Sequence, residues 1–222
     1  MKKRILAKIL AITMVLSLFP ATAIATEGDE SIDGGAPAAP ANVSNDSLIQ
    51  DPESLVEAAK TGGTITLGAD IALTERLEIY ADTVLDLNGY TLSSTSTKGA
   101  LWMDYGTSSD PAEYDLTIQD SSDAGEGAIQ STGSILTAYR MGDLVITGGT
   151  LTSSVLPDVS TNALDISCNE FKMTGGKLEL EDGRGAALDI QSSKIIITDN
   201  AVLSSGEGNG CAIDATGKNG EG

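Results

Sequence analysis

From Thr64 onward, apolar residues come in closely spaced pairs: Ile65 and Leu67, Ile71 and Leu73, Leu77 and Ile79, Leu85 and Leu87. Residues two apart on a strand share a face, so each pair predicts a short strand with one inward side. Only a few residues separate the pairs, too few for long crossovers. The pattern predicts successive sides of a narrow coil and excludes a wide flat sheet.

The second half of the chain repeats. Leu144-Val-Ile-Thr-Gly-Gly-Thr-Leu-Thr, Phe171-Lys-Met-Thr-Gly-Gly-Lys-Leu-Glu and Ile195-Ile-Ile-Thr-Asp-Asn-Ala-Val-Leu recur after 27 and then 24 residues. Ala163-Leu-Asp-Ile, Ala187-Leu-Asp-Ile and Ala212-Ile-Asp-Ala recur after 24 and then 25. Such periods mark stacked units, none able to bury its apolar face alone. In register they give three inward columns. The first holds Leu85/Leu87, Leu116/Ile118, Leu144/Ile146, Phe171/Met173 and Ile195/Ile197. Leu151, Leu178 and Val202 form the second. The third is Leu101/Met103, Leu136/Ala138, Leu164/Ile166, Leu188/Ile190 and Ile213/Ala215. The predicted fold class is all-β: a parallel β-helix solenoid with three strands per coil and five to six coils. Asn88-Gly89, Gly148-Gly149, Gly175-Gly176 and Asp199-Asn200 supply corners, because these residue types tolerate positive φ.

Ahead of the coils the pattern changes. Asp51 can cap a helix, Pro52 suits its first position, and Leu55, Val56 and Ala59 give one apolar stripe. Gly62-Gly63 stops it after Lys60. This predicts a short helix covering the open end of the coil and its first edge strand. Residues 26–50, with Gly34-Gly35-Ala-Pro-Ala-Ala-Pro40, are expected to be a flexible linker. Residues 1–25 read as a signal peptide: Lys2, Lys3, Arg4 and Lys8, an apolar run from Ile9 to Phe19, then small residues at Ala23 and Ala25. Residues 51–222 form the β-helix. It is expected to be incomplete at the C-terminus, since no cap follows Ala215. The plan implies a secreted or cell-surface protein with no membrane insertion after cleavage.

Charge narrows the partners. Without the four basic residues of the leader, the formal charge moves from −19 to −23, with nine Lys and Arg against 32 acids and no histidine. Such a surface repels nucleic acid and anionic lipid, and it favours solubility or cations. Cys168 and Cys211 fall two coils apart, about 10 Å along the axis at ~4.8 Å per strand. A disulfide needs Cα atoms within roughly 7 Å, so none is expected.

Candidate chemistry lies outside the third column, where Trp102, Thr137, Asp165, Asp189 and Asp214 separate the inward pairs. Stacked carboxylates repel unless a cation intervenes. Asp165, Asp189 and Asp214 are therefore either calcium ligands or a solvated acidic ladder with raised carboxyl pKa values. Trp102, flanked by Tyr105 and Tyr114, either stacks on a sugar or lies under the loop between them. Catalysis has little support. No histidine exists, no Ser or Cys sits beside a base, and Arg76, Arg140 and Arg184 lie outside the Asp column.

Gly62-Gly-Thr-Ile-Thr-Leu67 followed by Leu85-Asp-Leu-Asn-Gly-Tyr-Thr-Leu92 resembles the N-terminal coils of pectate-lyase-like right-handed β-helix proteins of bacterial surfaces. The Thr-Gly-Gly-x-Leu units with Ala-Leu-Asp-Ile are similar to non-catalytic β-helix domains that take calcium and acidic polysaccharide. The resemblance spans roughly residues 51–222 and implies a right-handed coil. The N-terminal layout resembles exported proteins of Gram-positive bacteria. The expected function is a non-catalytic binding or adhesion module for extracellular polysaccharide or a host or cell-surface glycan, with calcium as the candidate ion. A polysaccharide lyase or glycoside hydrolase, and a purely structural stalk, are the alternatives.

Overall fold

The computed structural model describes residues 48–103, 113–156, 158–198, 200–206 and 210–217. Among the described residues one helix, α1 (Pro52–Thr61), precedes sixteen strands. The first coil is β1 (Gly63–Thr66), β2 (Ile71–Leu73) and β3 (Leu77–Ile79). The second is β4 (Thr83–Asp86), β5 (Thr91–Ser94) and β6 (Leu101–Met103). The third is β7 (Leu116–Gln119), β8 (Ala128–Ser131) and β9 (Leu136–Ala138). There follow β10 (Leu144–Ile146), β11 (Thr150–Ser154), β12 (Leu164–Met173), β13 (Lys177–Glu181), β14 (Ala186–Ile197), β15 (Val202–Ser205) and β16 (Cys211–Gly217).

Every strand pairs in parallel with its counterpart one coil away, so the fold is a parallel β-solenoid of three strands per coil. The second side forms its own six-stranded sheet. The first and third sides merge, because β12 and β14 each run through the corner between them. Leu164 pairs with Leu188 on the third side, and Phe171 with Ile195 on the first. The local sequence explains the merger. In the preceding coil Arg140 adopts φ 59° and breaks the strand, whereas Ser167-Cys168-Asn169-Glu170 contains no glycine and no positive φ.

The third column pairs as expected, from Leu101↔Leu136 to Leu188↔Ile213. The other two need correction. Leu116/Ile118 stacks on Thr83/Leu85, not on Leu85/Leu87. A shift of two residues keeps the face, so Leu85 and Leu87 stay buried while Thr83 joins the inward row. On the second side Leu203, not Val202, stacks on Leu178. A one-residue shift reverses the face, and Val202 is 51% exposed. The second side also carries buried serines. Ser131 donates to the Ser134 carbonyl at 2.9 Å and Ser153 to the Gly133 carbonyl at 2.7 Å, so both hydroxyls are satisfied.

Aliphatic side chains fill the coil, with Phe171 the largest fully buried one. At about 25 cal/mol per Å² of apolar surface, their burial is the main stabilising contribution. Corners use the expected residues: Asn88, Gly89, Gly149 and Gly176 have φ of 46°, 81°, 84° and 78°. Of the fourth corner, Asp199 lies outside the described residues.

Helix α1 packs against β1, β2 and β3. Asp51 accepts the Ser54 N–H at 2.9 Å, and Gly62 ends the helix at φ 71°. Its buried stripe is Leu55, Ala58 and Ala59; Val56 faces outward, as spacings of three and four require. Ile49, expected in the linker, is buried and bridges in parallel to Leu67. Cys168 is buried and Cys211 exposed, and no disulfide joins them. Among the described residues no helix is long and apolar enough to cross a membrane.

Candidate functional site

Parallel pairing carries one outward row up the third side. Glu78 pairs with Trp102, Trp102 with Thr137, Thr137 with Asp165, Asp165 with Asp189 and Asp189 with Asp214. Each up to Asp189 lies between two buried residues, so alternation turns it outward, while at Asp214 the flanking Ile213 and Ala215, expected to face inward, are exposed. The row starts with Glu78 and Trp102 and ends in three successive carboxylates.

Trp102 is half-buried. The Arg76 guanidinium lies 4.5 Å from its ring centroid, within cation–π range. Tyr80 meets the same indole edge-on, with centroids 6.4 Å apart at 74°. Glu78 holds this group together, accepting from Arg76 Nε at 3.1 Å and from the Tyr80 hydroxyl. The Tyr80 hydrogen bond, with Arg76 behind it, keeps the Glu78 carboxyl below its ordinary value against the opposing effect of burial. Beside the cluster is a concavity of about 300 Å³ lined by Val56, Lys60, Glu75, Arg76, Glu78, Tyr80 and Lys98.

At the acidic end, Tyr139 donates to Asp165 Oδ2 at 2.9 Å and Asn162 Nδ2 to Asp189 Oδ2 at 2.7 Å. Desolvation, then the charges of Asp165 and Asp214, push the Asp189 carboxyl above its ordinary value despite the Asn162 bond. Among the described residues no group of three or more Cys, Asp or Glu is arranged to hold a metal ion. The ladder offers one carboxylate per coil, and two of its three members already accept protein hydrogen bonds. Calcium takes six to eight oxygens, so a site here would need donors beyond the ladder's own carboxylates.

Of the expected aromatic trio, Trp102 is half-buried on the outward row. Tyr105 lies outside the described residues, and Tyr114 is partly buried against the core. Among the described residues Arg76 and Tyr80 meet the Trp102 ring, and Glu78 is its register partner one coil away. The signal for them was present, since Glu78 stands one 24-residue coil before Trp102. In a solenoid the neighbour one period away is closer than the neighbour along the loop.

A third arrangement serves the fold. Asp120 accepts from the Gly89 and Gly127 amides at 2.8 and 2.7 Å and from the Ser122 hydroxyl at 2.8 Å. Burial opposes its ionisation, but the Gly127, Ser122 and Gly89 hydrogen bonds together prevail and hold its carboxyl below the usual range. It ties two corners together.

Comparison with protein-family models, with curated proteins and with solved structures finds no match to this chain.

Proposed function

We propose that the protein is a non-catalytic binding module of the cell exterior that holds an extracellular polysaccharide or surface glycan along the outer face of its third side. One observation carries this reading: the straight outward row from Glu78 through Trp102 and Asp165 to Asp214, with Tyr80 and Tyr139 beside it. Aromatic rings suit the apolar faces of sugar rings, and carboxylates and amides suit their hydroxyls. A repeat of ~4.8 Å per coil provides a surface that an extended chain can follow across several coils. The apolar, small-residue leader at 1–25 supports export, and the likeness of residues 62–92 to pectate-lyase-like coils supports a surface role.

Glycan-array binding of the full chain tests it. Saturable retention that Trp102→Ala abolishes, with no unsaturated or hydrolysed product, is the expected result. Product release would make it a lyase or hydrolase, and absence of binding would leave a stalk.

A further inference from the structure

We propose, resting on the glycan-binding reading, that the concavity beside Trp102 is a subsite for an anionic group of the ligand, a carboxylate or sulfate ester, with Lys98 its principal cationic partner. Three of the eight Lys and Arg among the described residues (Lys60, Arg76 and Lys98) line this one concavity of about 300 Å³. Glu75 and Glu78 share the lining, so it carries one net positive charge in a chain of formal charge −19. Distant charges are screened beyond roughly 8 Å at physiological salt, so the lining side chains decide what binds.

The three cations have different tasks. Arg76 is committed: its guanidinium lies over the Trp102 ring and bonds Glu78 at 3.1 Å. It neutralises the carboxylate that would otherwise repel an anion. Lys60 pairs with Glu57 at 2.6 Å on exposed helix surface, an attachment weak enough to exchange for a ligand. Lys98 is exposed and makes no close ion pair among the described residues, although its charge helps to hold the Glu78 carboxylate ionised.

Its root is fixed. The Lys98 N–H donates to Ser96 Oγ at 3.2 Å, and Gly99 N–H to the Ser96 carbonyl at 3.1 Å. Gly99 takes φ 96°, and a Cβ there would meet the Ser134 carbonyl oxygen at 2.8 Å. Ala100 N–H donates to that same oxygen at 2.9 Å. The turn is thereby bound to the next coil, and it presents Lys98 at the rim of the concavity from an ordered backbone.

Affinity of the full chain for polygalacturonate, heparin and neutral dextran, with Lys98→Gln, Lys60→Gln and a distant Lys172→Gln control, tests this. Thermal melts verify that each variant folds. The wild type should hold an anionic polymer more tightly than dextran. Lys98→Gln should weaken that by roughly tenfold, the loss of one charge-assisted contact, and leave dextran unchanged. Preference for polygalacturonate identifies a carboxylate, and preference for heparin a sulfate. An unchanged Lys98→Gln, or an equal loss in Lys172→Gln, overturns the subsite. Binding of dextran but neither anionic polymer overturns the subsite and leaves the glycan reading standing. No binding to any polymer on the array overturns the glycan reading itself.

Discussion

The carboxylate of Asp115 accepts the backbone N–H of Asp143, one coil further along, at 2.7 Å. The contact recurs on either side: Asp82 accepts from the Asp115 N–H and Asp143 from the Glu170 N–H, both at 3.0 Å. Lys194 ends the row by pairing with Glu170 at 2.7 Å. At this corner each acidic side chain gives a backbone donor its acceptor. Asp115→Ala should cost about 1 kcal/mol in urea unfolding, and Asp115→Asn less, because its carbonyl oxygen still accepts. Gly142→Ala should cost more than either. Its Cβ would stand 2.1 Å from Asp115 Oδ1 and 3.0 Å from the Glu113 carbonyl oxygen.

Register on the second side is open to a paired test. Leu178 is fully buried and stacks on Leu151 and Leu203, whereas Val202 faces water. Leu178→Ala should therefore cost about 2–5 kcal/mol. Val202→Thr should lie within about 0.5 kcal/mol of wild type. Equal losses in denaturant titrations would refute the register.

Asp189 and Asp120 should shape acid stability in opposite directions. The Asp189 carboxyl is raised above 3.8 in the folded chain, so the native state binds more protons between 3.8 and that raised value. Its contribution to stability falls as pH rises through this window. Asp189→Asn should stabilise at neutral pH by about 0.5 kcal/mol, the scale of a like-charge cross-strand contact, and the gain should vanish below 3.8. Asp120 is lowered from 3.8, so its contribution is full above 3.8 and is lost as pH falls through the folded value. Asp120→Asn should destabilise at neutral pH by about 1–3 kcal/mol and converge on wild type in acid. Thermal melts from neutral pH into acid read both.

Calcium alone should leave the melting temperature nearly unchanged, because the ladder offers one carboxylate per coil where calcium takes six to eight oxygens. A saturable rise in melting temperature that Asp189→Asn removes would instead make the ladder a metal site, by linkage of binding to stability.

Much of the fold was legible because a solenoid writes its period into the chain. Leu101, Leu136, Leu164, Leu188 and Ile213 could be aligned by counting, and Asp165, Asp189 and Asp214 came into register with them. Counting failed where the coil length changed or a corner was weakly marked. The 31 residues from Leu85 to Leu116 gave no sign that Thr83 is the true partner, since a slip of two keeps the same face. Ala201-Val202-Leu203 offered two adjacent apolar residues, and pattern alone chose the wrong one. The site was half legible. Trp102 stands out as the single tryptophan, whereas the contacts of Arg76 and Tyr80 with it come from stacking one coil on the next.

The sequence by itself determined the coil, its corners, its helical cap and the outward row of the third side. These follow from local facts: alternation by two, positive-φ residues and a repeat near 25. Tertiary structure alone decided which side chains meet across coils. Arg76 lies over Trp102, Tyr139 reaches Asp165 and Asp115 bonds the Asp143 backbone because parallel stacking brings residues one coil apart into contact. Those contacts depend on register between coils, which alternation leaves undetermined by steps of two and packing fixes.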